Sequence, residues 1–423
     1  MELAKKLFKG DRVIWVLYAF LSLISLLEVF SATSTLAYKQ PYFWQPIGRH
    51  IVFLMIGFFI VLLVHNIPYR FFKILTPFML VCFILLIVTP FIGVEHNGAK
   101  RWLSVGFMEF QPSELAKLCI IGYTAFFLSY IDRIGEKNAF WWIIGGVSPV
   151  FLLIAHDNGS TAILVLAVIY LMMFIGKISW KRMFKLSGVL FALFILLVCF
   201  LFFSPESFVS KLGSRASTWK ARFENFTRHG AAGANENEPL KITNENFQVV
   251  QAKIAIARGG ISPRLPGNGQ QRDFLPQAYS DFIYAIIIEE LGLAGGILVM
   301  VAYLIFLVRI GVLMRHCEDK KFPKLLLAGC GMLIVFQAMI NMAVAVNLIP
   351  VTGQPLPLVS RGGTSTLISC AYIGIILSIS RFAADIHNEP IEFDVEETEM
   401  TSMASVLDQA IPLDEERLKI KEL

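Results

Sequence analysis

Asp281 stands where a polar loop gives way to an apolar run. Leu275 and Pro276 close the loop, and from Phe282 to about Val308 the chain is apolar apart from Glu289-Glu290, a little over two turns in. A carboxylate at the centre of an apolar span costs about 2.5–3.5 kcal/mol on insertion scales, so such residues face a polar cavity or a partner. At the mouth of the span, a carboxylate can act as general base toward a hydroxyl. The same residue, preceded by Ser280, would also serve as a helix N-cap favoured by the helix dipole. On chemistry alone the two roles stand level.

Other stretches add charge to the picture. Lys100-Arg101-Trp102 follows Gly98 and sets two cations beside an indole, a combination suited to an anionic head group and also to an interfacial anchor. The next helix opens at Pro112 and places Glu114 and Lys117 three apart, on one face, where they can pair. Both charges near one end of a membrane helix predict a polar pocket. Pro266-Gly267-Asn268-Gly269 is a glycine-rich turn beside Asp281, a weak phosphate-binding signal that its position strengthens. Arg258, Arg264 and Arg272 would meet a pyrophosphate there or stay solvated. Asn347 to Ser365 holds three prolines and three glycines, a stiff non-helical element that must line a cavity or pack on protein. Gln337 and Asn341, four apart on one face, predict interhelical hydrogen bonds. His156-Asp157-Asn158-Gly159 reads as turn chemistry. For Glu28, near the outer end of the first apolar run, the favoured reading is that it reaches the interface.

The elements that position these groups are membrane helices. The chain has 423 residues, 56% hydrophobic and only 16% charged, with 36 Phe and a mean hydropathy of +0.64. Soluble domains are nearer one quarter charged, and several segments here approach the roughly 20 apolar residues that cross a bilayer. Spans are predicted at 13–33, 48–66, 72–93, 112–131, 139–155, 160–176, 186–203, 282–308, 325–346 and 363–382. The first is too long for a cleavable signal, and no small-residue cleavage site follows it. Lys and Arg concentrate in alternate short loops, from Lys9 and Arg12 through Arg133, Lys181 and Arg315. The opposite short loops hold only Lys39, Arg49, Lys100, Arg101 and Arg361, which predicts cytoplasmic termini and an external loop 204–280. Within that loop, Phe247, Val250 and Ile254 predict an amphipathic helix ending at Gly259-Gly260. Six cysteines lie in spans or cytoplasmic loops, and the expectation is buried apolar residues with neither disulfide nor zinc. Residues 1–383 read as one polytopic domain and 384–423 as an acidic cytoplasmic tail without fixed structure. There is no nucleotide-binding motif, and the net charge of +5 reflects the loops, not a nucleic-acid surface.

Four stretches, in order along the chain, resemble the FtsW/RodA (SEDS) family. They are Gly98 to Leu103 with Phe110-Gln111-Pro112-Ser113-Glu114-Leu115-Ala116-Lys117; Asp157 to Ala162; Leu275-Pro276 through Asp281-Phe282-Ile283-Tyr284-Ala285 to Glu289-Glu290-Leu291-Gly292; and Leu348 to Ser365. The chain departs from the family pattern at His156, Gln277, Tyr279, Ser280 and Tyr284, and at Arg361, where an aromatic residue is frequent. The resemblance implies an all-α polytopic membrane protein of about ten helices in the bacterial cytoplasmic (inner) membrane. It also implies a peptidoglycan glycosyltransferase that polymerises lipid II, with Asp281 as the essential acid. Substrate contacts would come from Lys100, Arg101, Trp102, Gln111, Ser113, Glu114, Lys117, Gln354, Ser360 and Arg361. A divalent cation, magnesium or manganese, is the candidate cofactor, with no nucleotide. Implied partners are lipid II, undecaprenyl pyrophosphate, a class B penicillin-binding protein and other division proteins, with no nucleic acid. The acidic tail and compact length favour the division member over the elongation member. The rivals are a lipid II flippase and a scaffold that recruits a transpeptidase.

Overall fold

A backbone out of water must satisfy its hydrogen bonds within the segment, and the computed structural model does so with helices. It describes residues 8–33, 44–96, 99–105, 108–203, 246–261, 263–275, 278–317 and 320–385. In chain order the first helices are α1 (Arg12–Ala32), α2 (Gln45–Val64), α3 (Leu75–Ile92, entered through the 3-10 turn Tyr69–Ile74), α4 (Pro112–Ser129), α5 (Ile131–Ile134) and α6 (Glu136–Asp157). They are followed by α7 (Gly159–Ile175), α8 (Trp180–Phe203), α9 (Phe247–Gly259), α10 (Ile283–His316), α11 (Lys321–Ala345) and α12 (Thr364–Asp385). Each predicted span coincides with one of these. By length and composition seven are able to cross a membrane: α1, α2, α3 with its 3-10 turn, α6, α10, α11 and α12. α7 is apolar but has only 17 residues, and α4 carries the Glu114 and Lys117 charges. The protein is a polytopic helical membrane protein.

The all-α expectation needs one correction. Between α3 and α4 lie three short antiparallel strands, β1 (Val94–His96), β2 (Ala99–Val105) and β3 (Met108–Phe110), in the order β1-β2-β3. Val94 stands opposite Trp102, and Leu103 opposite Phe110. The chain here has left its apolar run, and its backbone groups pair strand to strand, with Leu103 turned inward and Ser104 outward.

α4 and α11 form the centre. Ala116, Cys119 and Ile120 of α4 and Leu326, Leu327 and Cys330 of α11 are fully buried. α2 and α3 instead turn Phe59, Leu63, Leu80 and Phe91 outward, as surfaces that meet lipid do at no hydrophobic cost. α9 confirms the amphipathic helix and buries Val250 of its expected stripe, but Phe247 and Ile254 are only partly buried, and the rest of the buried face is Ala252, Ala255 and Gly259. Small residues occupy that face because α10 crosses it closely. A Cβ added at Gly259 would lie 2.1 Å from the Ile288 carbonyl oxygen.

α10 is broken at Gly292, whose φ of 72° and ψ of 179° suit glycine alone. The break is stitched to the preceding segment. Leu293 N–H donates to Gly260 O at 2.9 Å, while Arg264 and Leu265 N–H donate to Glu290 O at 2.8 and 2.9 Å. Among the cysteines, Cys82, Cys119, Cys317, Cys330 and Cys370 are free and buried as expected, but Cys199 is exposed. Residues 204–245 of the loop expected to be external, and the tail from 386 onward, lie outside the described residues.

Candidate functional site

The segment from Val351 to Gly363 has no regular secondary structure apart from turns, so its backbone groups need partners elsewhere. They come from several helices. Ser25 of α1 donates to Val359 O at 2.7 Å and is itself met by His50 Nε2 of α2 at 2.9 Å. Because the Ser25 proton goes to the carbonyl, His50 Nε2 carries the proton in this pair. Ser160 of α7 reaches Thr352 O at 3.1 Å, and Gln354 Nε2 donates to Thr161 Oγ1 at 2.5 Å. Tyr303 of α10 donates to Pro357 O. From α11, Gln337 Nε2 donates to Pro355 O at 3.1 Å and Asn341 Nδ2 to Gln354 O at 2.8 Å. The expected Gln337 and Asn341 bonds therefore exist, but they hold this loop and do not simply join helix to helix.

The loop in turn holds Asp281. Asn341 Nδ2 also donates to Asp281 O, at 2.9 Å. Ser360 Oγ donates to Ser280 O at 2.6 Å, and Arg361 N–H to Tyr279 O at 2.9 Å. Asp281 and the two residues before it are thus pinned by the loop and α11. Its carboxylate accepts from Ser280 Oγ at 3.0 Å and faces Gly353, where an added Cβ would lie 3.7 Å from Oδ2. Gly353 has a φ of +70°, which a glycine adopts without strain and which turns its bare face to the acid. The N-cap of α10 is Phe282. Asp281 sits one residue outside it, so the simple N-cap reading does not describe its position.

Glu114 and Lys117 pair as expected, Nζ to Oε1 at 2.8 Å. Their setting differs from an open pocket. Lys117 is 0% exposed, and its Nζ also donates to Gln337 Oε1 at 3.1 Å. A relay therefore runs from Glu114 through Lys117 and Gln337 to the Pro355 carbonyl. Ser113, Gln354 and Ser360 are buried as well. Of the residues expected to touch substrate, Glu114 and Lys117 support the loop, Gln354 and Ser360 are buried within it, and Ser113 is buried at the start of α4. Lys100, Arg101 and Trp102 lie together on β2, apart from that support, with Lys100 exposed and the other two partly so. Gln111 occupies the N-cap position of α4, partly exposed. Arg361 is partly buried with its guanidinium 5.3 Å over the Tyr279 ring. Burial draws the Arg361 pKa below the usual arginine value; the Tyr279 phenol opposes that shift, and the like charge of Arg49 adds to it.

The glycine-rich turn does not present its amides to a phosphate. Gly267 and Gly269 N–H donate to the Glu290 carboxylate at 3.1 and 3.3 Å, and Gln270 and Gln271 N–H to Glu289 at 3.0 and 3.1 Å. Arg272 is spent there too, 2.6 Å from Ser31 Oγ and 3.6 Å from Glu290 Oε1. Arg258 donates to Gln270 Oε1 at 2.7 Å. The Glu289-Glu290 pair is fully buried and serves to seat this turn. Glu28 likewise corrects the interfacial expectation. It is 0% exposed, and among the described residues neither carboxylate oxygen has a hydrogen-bond partner. Asp157 ends α6 beside His156, with Asn158 capping α7, which agrees with the turn reading.

Ser25, His50, Thr161 and Tyr303 were not singled out from sequence. Thr161 lay within the family-like stretch Asp157 to Ala162, and the other three had as their signal a polar atom within an apolar run.

Comparison with known proteins places this arrangement. A family model covering FtsW, RodA and SpoVE and described as cell cycle protein matches residues 11–385. The chain is 31% identical over 383 residues to the probable peptidoglycan glycosyltransferase FtsW of Haemophilus influenzae, covering 87% of this chain and 90% of that protein. It is 29% identical over 344 residues to the peptidoglycan glycosyltransferase MrdB of Escherichia coli, covering 79% and 86%. Among solved structures, a chain of a peptidoglycan synthase complex that coordinates polymerization and crosslinking shares the fold, with a TM-score of 0.66 at 21% identity over 88% of this chain and 98% of that one. With a match that runs from the N-cap of α1 to the end of α12, the chain belongs to the FtsW/RodA/SpoVE family.

Proposed function

We propose that this chain is a peptidoglycan glycosyltransferase that polymerises lipid II, with Asp281 as general base. The reading is supported by the relatives' names and by one geometric observation. Asp281 is clamped through its own backbone by Asn341 and faces the bare side of Gly353, on a loop braced by α1, α7, α10 and α11. A base must be held within reach of the proton it takes, and this acid is held at its own carbonyl and at the two residues before it. In the reaction, the 4-hydroxyl of the acceptor GlcNAc gives its proton to Asp281 as its oxygen attacks the anomeric carbon of the donor MurNAc. The bond to the diphosphate breaks, undecaprenyl pyrophosphate leaves with the electron pair, and a β-1,4 linkage forms with inversion.

The finer assignments belong to the same proposal. Both termini are cytoplasmic and Asp281 faces outward, a topology supported by the loop charges. The protein works in the cytoplasmic membrane at the division septum beside a class B penicillin-binding protein, which supplies the crosslinking activity. Among the described residues no group of three or more His, Cys, Asp or Glu side chains is placed to hold a metal. A magnesium or manganese ion enters the proposal only as a companion of the diphosphate, and no step runs through it.

The test is polymerisation of purified lipid II by the full chain with its transpeptidase, wild type against Asp281→Asn. The Asn variant keeps the size of the side chain but cannot accept the proton. A loss of about 10²–10⁴ in rate is expected, with lipid II binding and partner binding retained. An Asn variant that polymerises at the wild-type rate would remove Asp281 as base. A wild-type chain that scrambles lipid II across liposomes without polymerising it would make the protein a flippase; one that does neither while recruiting the transpeptidase would make it a scaffold.

A further inference from the structure

Asp281 lies at one end of the bundle, and a cluster of cations lies at the other. α10 runs from Ile283, just after Asp281, to His316, and Lys320 precedes α11 a few residues beyond. At that far end Tyr130, which closes α4, has two cations on its ring. Lys73 Nζ is 6.0 Å from the ring centroid and Arg133 Cζ 5.6 Å. Phe126, one turn back in α4, steadies the ring at a centroid distance of 4.7 Å. A further cation, Lys320, lies 5.6 Å over Tyr69. Tyr69 and Lys73 belong to the same 3-10 turn, Tyr69–Ile74. These contacts therefore join the entry of α3, the end of α4 and the start of α11.

The acids that α5 and α6 bring to this end are taken by other partners. Asp132 pairs with Lys321, while Glu136 pairs with Arg182 at 2.8 Å and accepts from Ser179 N–H at 2.7 Å. Among the described residues, no carboxylate is within ion-pair distance of Lys73 or Arg133. Exposed cations are ordinarily just solvated. This pair differs in being gathered on one ring, and in the apolar surface beside it. Phe71, Ile74 and Phe78 are 62%, 68% and 39% exposed. A spacing of three within the 3-10 turn and of four into α3 sets them in one row. Lys73 stands in the chain between the first two. An ammonium and a guanidinium at the head of an apolar row match a phosphate joined to acyl chains.

We propose that Lys73 and Arg133, gathered on Tyr130, bind the headgroup phosphate of an anionic phospholipid of the bilayer, with an acyl chain along Phe71, Ile74 and Phe78. Basic pockets between membrane helices hold such headgroups, most of all on the cytoplasmic side, to which the loop charges assign this end. The bound lipid ties the turn before α3 to the short helix after α4. An acidic protein segment would use the cations and leave the apolar row uncovered, so the row favours a lipid. The site lies at the other end of the bundle from Asp281, and it stands independently of the glycosyltransferase reading.

The purified full chain in neutral detergent is titrated with phosphatidylglycerol and with phosphatidylcholine, and bound lipid is counted by native mass spectrometry. Both lipids carry a phosphodiester and two acyl chains, but only phosphatidylglycerol has a net negative charge. The wild type is expected to bind phosphatidylglycerol about tenfold or more tightly than phosphatidylcholine. Lys73→Gln and Arg133→Gln should each weaken phosphatidylglycerol binding about fivefold, the worth of one cation near an anionic surface. The double variant should lose more, and phosphatidylcholine binding should not change. Tyr130→Leu keeps every charge yet should lose a comparable amount, because nothing then gathers the cations, whereas Tyr130→Phe should bind as the wild type does. Lys181→Gln, which removes an exposed cation of α8, should have no effect. A wild type without preference for phosphatidylglycerol overturns the site, and so does a double variant of unchanged affinity. An equal loss in Lys181→Gln also overturns it, since the attraction would then be diffuse charge. Undecaprenyl diphosphate that displaces phosphatidylglycerol at equal concentration gives the site to a polyprenyl lipid, and a polyglutamate peptide that does so gives it to an acidic protein. Either displacement ends the phospholipid assignment.

Discussion

Removing Lys117 would strand Glu114, a buried carboxylate whose ion-pair partner Lys117 is. Breaking a buried pair from one side typically costs about 3–5 kcal/mol, whereas replacing both partners by neutral groups is often harmless. Lys117→Ala is therefore expected to melt well below the wild type, and Glu114→Gln with Lys117→Met should recover most of that loss. A Lys117→Ala protein that melts normally and loses only polymerisation would show that the ammonium acts on substrate instead of supporting the loop. Glu28 presents the opposite case, a buried carboxylate with neither oxygen hydrogen-bonded. Glu28→Met removes the polar burden while keeping the volume close, and it is expected to leave stability unchanged or raise it by about 1–3 kcal/mol. A marked fall in the melting temperature of that variant would mean that the acid has a stabilising partner.

At the level of elements, the break in α10 and the loop before α12 carry the geometry. Gly292 sits at φ 72° and ψ 179°, and a Cβ there would lie 2.8 Å from the Ile261 carbonyl oxygen. Gly292→Ala combines backbone strain of about 1–3 kcal/mol with that clash, so a large loss of folded protein is expected in detergent melting. Wild-type stability would show that α10 straightens without penalty. Asn341 is the single side chain that donates to both Asp281 O and Gln354 O. Asn341→Ala leaves two carbonyls short of a donor, which typically costs about 1–3 kcal/mol for a buried group, and it loosens the acid from its loop. The expected signature is a fall in kcat with KM for lipid II little changed. A change confined to KM would move Asn341 from positioning to substrate recognition.

The whole molecule makes one further prediction, its direction in the membrane. In a cysteine-free background, Lys100→Cys and Asn268→Cys are expected to react with an impermeant maleimide from outside, and Asp132→Cys only after the membrane is opened. The reverse pattern would place Asp281 on the wrong side for an extracytoplasmic polymerase. The helices were legible in the chain because helix hydrogen bonds are local: a run of apolar residues decides its own conformation once water is excluded. The acid at Asp281, the Glu114 and Lys117 pair, and the stiffness of the proline-rich loop were legible for a similar reason, since residue type and short spacing set them. The break at Gly292 and the small strands before α4 were not, because a lone glycine and a short polar link permit many conformations. Nor could residue types tell which cations are committed and which remain available. Ser31 meets Glu290 across 259 residues, and Lys117 meets Gln337 across 220. Pairings of that range depend on which helix faces meet, and only the packed bundle decided that the glycine-rich turn belongs to Glu289 and Glu290.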